Sequence, residues 1–228
     1  MNTPISYYGG KQRLAGKIVP KIAEHKLYAE PFVGGAAVFF AKEQSGVEVI
    51  NDLNSELINF YKVCQNNFVA LKAEVNITLH SRRLHKDASV VYNNPHLFTE
   101  LKRAWAVWVL ATQSFSSMLD GTFGYDKAKN TTTKKIHNKV EAFDESIAIR
   151  LQNVQIECAD ALYIIRSRDY EEAFFYCDPS YPSDILSKYT KSYGWKTVKF
   201  EQKVSVNKGA GGGKMKTEVL TANYPIEI

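Results

Sequence analysis

The chain has 228 residues and a net charge of +5, with 45% hydrophobic, 12% aromatic and 23% charged residues; that is enough apolar material for a sizeable core and excludes a disordered segment. At about 150 residues per domain, the length predicts one full domain carrying a substantial insertion or appendage. No apolar run approaches the ~18 residues of a membrane span, and the start Met1-Asn2-Thr3-Pro4-Ile5 lacks the apolar stretch of a signal peptide, so a cytoplasmic protein without a membrane partner is expected.

The first third reads as strand and helix in alternation. Helical spacing of Leu14, Ile18, Val19 and Ile22 predicts a helix over 11–23, followed by a short extended run over 27–31. The turn Val33-Gly34-Gly35-Ala36 opens a second apolar helix through Phe39 and Phe40, then come a strand over 47–50 ending at Asn51-Asp52 and a helix over 53–64. This order is the beginning of a parallel, doubly wound α/β sheet. The middle third departs from it, with helical patterns over 69–79 and 98–111 and polar loops around 81–94 and 121–135, and reads as an insertion. From Val154 the alternation returns: a strand over 154–157, a helix over 161–167 and a buried strand over 173–177. A helix over 183–193 then leads to strands over 195–206 and 217–223, joined by a loop containing Gly209 and Gly211 to Gly213, the pattern of an antiparallel hairpin.

Positive charge is concentrated. Residues 72–139 hold eleven Lys and Arg against five Asp and Glu, while the remainder is close to neutral. A second basic stretch, 188–216, holds eight lysines against the single acid Glu201 and includes Tyr189, Tyr193, Trp195 and Phe200. Both suit a polyanion, although lysines on a solvated face would give the same composition. The three cysteines, Cys64, Cys158 and Cys177, are far apart and form no Cys-x-x-Cys pair, so they read as packing residues, with neither a disulfide framework nor a metal site.

Two places carry chemistry. Glycines at 34 and 35, where a strand hands over to a helix, let the backbone approach a ligand, and Asp52 ends the next strand, placed to accept the hydroxyls of a ribose. An adenosine-containing cofactor would fit; a tight turn with a helix cap would use the same residues, and the Gly-x-Gly-x-x-Gly pattern of dinucleotide enzymes is absent. Asp178-Pro179-Ser180-Tyr181 follows an apolar strand directly, at the end where ligands of open α/β sheets collect. The Asp178 carboxylate and the Pro179 carbonyl can accept the two hydrogens of an exocyclic amine, and the Tyr181 ring can stack on a planar base. Accepting those hydrogens makes the nitrogen a better nucleophile toward an activated methyl group.

Taken in order, these segments resemble the Dam-like, D12 class N6-adenine-specific DNA methyltransferases. Tyr7-Tyr8-Gly9-Gly10-Lys11 resembles the family's N-terminal cofactor segment, Ala29-Glu30-Pro31-Phe32-Val33-Gly34-Gly35 its glycine motif, and Ile50-Asn51-Asp52-Leu53-Asn54 its ribose-binding strand end. Phe175-Tyr176-Cys177-Asp178-Pro179-Ser180-Tyr181 resembles the catalytic Asp-Pro-Pro-Tyr motif, Cys158-Ala159-Asp160 the acid near the cofactor's adenine, and 218–224 the final strand. The resemblance implies a Rossmann-like methyltransferase sheet over 1–67 and 141–228, with a mainly helical target-recognition domain inserted over 68–140. It implies S-adenosylmethionine as cofactor, held by Tyr7, Lys11, Phe32, Gly34, Asp52, Asp160 and Asp178, with Asp178, Pro179 and Tyr181 catalytic and no metal. Double-stranded DNA is the implied partner, with Arg82, Arg83, Lys86, Lys127, Lys129, Lys134 and Lys135 as candidates for phosphate contacts and no obligate protein partner. The target adenine would be extruded from the duplex and methylated at its amino nitrogen.

The chain also departs from the family pattern. Ala36 stands where a second glycine is usual, and Ser180 replaces the second proline of the catalytic motif. Tyr181 is followed at once by Pro182-Ser183-Asp184-Ile185-Leu186, which resembles the segment that in relatives comes after a further helix and buried strand. One helix and one central strand are therefore expected to be missing, with weakened or absent methyl transfer as the consequence; a catalytically inactive DNA-binding remnant is the alternative.

Overall fold

The computed structural model describes residues 1–178, 196–203 and 215–222. Two compact units divide the chain, Met1–Asp178 and Pro179–Ile228. The first is built on a parallel sheet of four strands, β1 (Leu27–Glu30), β2 (Val47–Asn51), β3 (Gln155–Glu157) and β4 (Ala173–Phe175), in the order β3-β2-β1-β4. Leu27 pairs with Val47 on one side and Ala173 on the other, and Val49 of β2 pairs with Gln155. All four residues of the central strand β1 are buried, which is why it reads as a short apolar run without alternation.

Helices supply the rest of this unit. They are α1 (Ala15–Ile18), α2 (Ala37–Ala41), α3 (Ser55–Asn66), α4 (Phe68–Asn76), α5 (Arg82–Asn93), α6 (Glu100–Gln113), α7 (Thr131–Glu141), α8 (Ser146–Leu151) and α9 (Ala161–Arg168). The run Ala104 to Ala111 of α6 is buried on every side, because α3 packs on one flank and α5 on the other. Apolar side chains of α6 therefore join Phe39, Phe40, Leu57, Phe60 and Phe143 in one continuous core. Below the sheet, burial opposes ionisation of Glu48, but Arg150 and Lys42 donate to it and hold its carboxyl below the usual range. This ties α8 and the end of α2 to β2; removing one partner of such a buried set is far costlier than the net worth of the set.

Several elements differ from their sequence-based expectation. The helix predicted over 11–23 is only the four-residue α1 followed by a 3-10 turn, Val19–Lys21, since Pro20 offers no N–H to continue the ladder. The loop expected over 81–94 is the helix α5, capped by Ser81, whose side chain accepts from Leu84 N. Most of the loop expected over 121–135 is irregular, but α7 begins at Thr131 within it, and α8 has no counterpart in the sequence-based reading. Cys64 is buried as expected of a packing residue, whereas Cys158 is exposed and the packing reading fails there.

In the second unit, β5 (Lys196–Lys203) and β6 (Met215–Ala222) form the expected antiparallel hairpin, with Lys196 opposite Ala222 and Lys203 opposite Met215. Pro179, Ser180, Tyr181, the helix expected over 183–193 and the shortening expected after the catalytic motif fall outside the described residues. Among the described residues, the parallel order ends at β4, and the two hairpin strands belong to a sheet of their own.

Candidate active site

Because β1 to β4 run parallel, their C-terminal ends share one edge of the sheet, and the turns leaving them bring distant segments together. Asn51, fully buried at the end of β2, organises this edge. Its amide donates to Pro31 O at 2.9 Å and to Ala159 O at 3.0 Å, and its oxygen accepts from Ala159 N at 2.8 Å, so one side chain joins the turns after β1, β2 and β3. The sequence-based reading gave Asn51 no role, although a polar residue closing an apolar strand was the available signal.

The glycine turn follows. Gly34 adopts φ +46°, its N–H donates to Asp52 Oδ2 at 3.0 Å, and its carbonyl accepts from Tyr61 OH at 2.7 Å. Asp52 Oδ1 accepts from Asn54 N at 3.0 Å, and Asn54 in turn caps α3 by accepting from Glu56 N and Leu57 N. Asp52 thus braces the turn, but the helix cap expected of it falls to Asn54, because α3 begins at Ser55 and not at Leu53; the half-buried carboxylate keeps further acceptor capacity toward solvent. Tyr7 packs over the glycines: a Cβ placed on Gly35 would come within 2.8 Å of Tyr7 Cβ, so only glycine permits this approach. Burial, reinforced by the Asp52 charge, pushes the Tyr7 phenol up to about 12. Ala36, fully buried, takes a left-handed conformation (φ 54°) that its methyl group makes costly by roughly 1–2 kcal/mol.

At the end of β4, Asp178 Oδ2 lies 2.7 Å from Lys11 Nζ, and the same ammonium donates to Gly9 O at 3.1 Å. The two residues that the sequence assigns to catalysis and to the cofactor segment therefore meet. Behind them sits the fully buried Glu30, which accepts from Tyr28 OH at 2.7 Å. Burial pushes its carboxyl up to about 8, with the nearby Asp178 charge adding to the shift, so Glu30 is mostly protonated at neutral pH. Burial also pushes the adjacent Cys177 thiol up to about 12. Sequence reading passed over Glu30, because an acid inside an apolar strand resembles an ordinary motif letter.

The remaining expected residues are spread more widely. Phe32 is partly buried in the turn after β1, and Asp160 is exposed, accepting from Leu162 N and Tyr163 N as the cap of α9. Arg82 lies over the Phe123 and Tyr125 rings at 5.0 and 5.1 Å, while Arg83 pairs with Asp87 along α5. Lys127 and Lys129 line a cavity of about 380 Å³ with His80 and Tyr125, and Lys86, Lys134 and Lys135 are exposed. Near them, Ser116 and Ser117 both have positive φ, 56° and 57°, a strained pair of the kind that gathers at functional loops.

The sequence profile of the D12 class N6 adenine-specific DNA methyltransferases matches residues 7–216. The chain belongs to this family. Among its relatives, the DNA N-6-adenine-methyltransferase of Escherichia phage P1 is 27% identical over 202 residues, covering 85% of this chain and 26% of that protein. The type II methyltransferase M.MjaIII of Methanocaldococcus jannaschii is 27% identical over 216 residues, and M1.LlaDCHI of Lactococcus lactis subsp. cremoris is 30% identical over 220 residues. The chain spans about a quarter of the phage protein's length and 71% of each type II relative.

Proposed function

We propose that this protein binds double-stranded DNA and S-adenosylmethionine and methylates the exocyclic amino nitrogen of adenine, at a rate lowered by the shortened connection after Asp178. The observation that carries the reading is the meeting of Lys11 and Asp178, 2.7 Å apart, at the strand edge beside the glycine turn. The site suits an adenosyl ligand: the backbone is bare at Gly34 and Gly35, Tyr7 closes over it, and Asp52 and the exposed Leu53 and Asp160 stand at the ends of the neighbouring strands. When bound, the cofactor supplies an electrophilic methyl group on sulfur.

In this reading Asp178 accepts a hydrogen of the adenine amine, with Pro179 O as the second acceptor and Tyr181 as the stacking ring. Lys11 fixes the orientation of the carboxylate before substrate arrives. With the cofactor supplying the methyl group and its sulfur as leaving group, Asp178 would hold the amine nitrogen in position and take up the proton that it loses. Arg82, Arg83, Lys127 and Lys129 would contact phosphates from the helical segment 68–140, which serves as the recognition domain.

The inactive remnant is kept as a second reading by the sequence after Asp178-Pro179, where Tyr181 runs straight into Pro182-Ser183-Asp184, which resembles the segment that in relatives follows a further helix and strand. One experiment separates the two. Tritiated methyl transfer to unmethylated duplex and salt-dependent duplex binding are measured on the same sample. Binding with slow, Asp178-dependent transfer is expected, and abolition by Asp178→Asn is the control. Binding with no transfer would establish the remnant, and robust transfer would remove the claim of impairment.

A further inference from the structure

A second cavity, of about 610 Å³, opens beside the glycine turn, and Asp52, Asp160 and Asp178 are not among the residues that line it. Gly35 and Tyr7 form one wall, and Thr112 of α6 with the strained Ser117 forms another. The third wall is a single stripe of α7, Lys135, Asn138 and Lys139, continued by Ala142, whose spacing of three and four residues places them on one helical face. No Asp or Glu lines this cavity, while it holds two lysines and several hydroxyl and amide groups. Lys139 has no hydrogen bond or ion pair among the described residues, and burial pulls its ammonium below the usual lysine range. A half-buried cation without a counter-ion, in a polar cavity free of acids, calls for an anion.

We infer that this cavity seats one phosphate–deoxyribose unit of the bound DNA strand, gripped by Lys135, Asn138 and Lys139. The volume exceeds what a lone phosphate needs and falls in the range of nucleotide-sized sites. Its shared wall with Gly35 and Tyr7 would anchor the strand directly beside the cofactor turn, so that an extruded base need travel only from an adjacent nucleotide. This inference rests on the DNA reading above and extends it to residues that the motif pattern does not single out, Asn138 and Lys139.

The test is fluorescence anisotropy of a labelled duplex titrated with the full chain between about 50 and 200 mM salt, where each phosphate contact contributes about one unit to the log–log slope. Lys135→Met with Lys139→Met should reduce the slope by about 1 unit on any sequence. Lys139→Arg should retain it, and Asn138→Asp, which adds a carboxylate and removes no cation, should weaken binding. Thermal stabilisation by S-adenosylhomocysteine should survive in all of them, which also reports that they fold. Binding by the unmodified chain with the same slope in the double variant would overturn the cavity assignment and leave the DNA reading intact. Failure of the unmodified chain to bind duplex at all would overturn both.

Discussion

Glu30 and Gly35 show how single residues set the behaviour of the sheet edge. Because the Glu30 carboxyl titrates near 8 in the folded chain against 4.5 as its ordinary value, the native state holds a proton that the unfolded state has released. Between those two values folding is therefore progressively disfavoured as pH rises, by at most about 1.4 kcal/mol per pH unit, and the contribution is fully present only below about 4.5. Glu30→Gln keeps an oxygen for Tyr28 OH and removes the titration. Urea unfolding from pH 5 to 8.5 should show a falling stability in the parent that is flattened in the variant; parallel curves would mean that Glu30 is not the group responsible. Gly35 poses a steric problem instead. Gly35→Ala drives a Cβ within 2.8 Å of Tyr7 Cβ, which only a shift of the Tyr7 segment can relieve, and this should cost about 1–3 kcal/mol of stability together with cofactor affinity. Unchanged binding of S-adenosylhomocysteine by calorimetry would show that Tyr7 does not close the site.

At the scale of elements, the side chain of Asn54 joins the site to the helical segment. Asn54 caps α3 with its oxygen and donates from its amide to Tyr92 OH on α5 at 2.9 Å, so the strand end bearing Asp52 and the helix bearing Arg82 share a hydrogen bond. Loss of the cap in Asn54→Ala should cost about 1–2 kcal/mol and loss of the hydroxyl in Tyr92→Phe about 0.5–1.5 kcal/mol. Because both remove the same bond, the double variant should fall short of the sum by about 0.5–1.5 kcal/mol, and strict additivity in urea titrations would rule the tie out. This junction also marks where sequence reading failed. The strands were legible because Leu27 to Glu30 and Glu48 to Asn51 are unbroken buried runs bounded by turns. The α5 helix was missed because its buried face is made of His85, Ala88 and Val91, which carry little hydrophobic weight, although Ser81 in front of it was a legible cap. In α7 only Ile136 is buried, so no apolar period announced it. Asn51 and Glu30 escaped for the opposite reason: their importance comes from the strands and turns they join, which no local pattern encodes.

For the whole molecule, the candidate cofactor site is assembled from segments spread over most of the first unit: Tyr7 and Lys11, the turn at 32–36, Asp52, Asp160 and Asp178. Four strands and the turns between them must be in place before Tyr7 meets the glycine turn, Gly34 meets Asp52 and Lys11 meets Asp178, so a ligand there would report on the folding of the unit rather than on one loop. Motif order alone made this gathering legible, since parallel strands necessarily deliver their C-terminal turns to one edge; the pairing of Lys11 with Asp178 needed the structure. A ligand at about 100 times its dissociation constant stabilises the folded state by about 2.7 kcal/mol. For a chain of this size each kcal/mol raises Tm by about 2–4 °C, so S-adenosylhomocysteine should raise it by about 5–10 °C. NAD should give no such rise, because the Gly-x-Gly-x-x-Gly pyrophosphate turn is absent. A scan in which NAD stabilises and S-adenosylhomocysteine does not would transfer the site to a dinucleotide. A scan in which neither acts would mean that the glycine turn, Asp52 and Asn54 form a structural corner and nothing more.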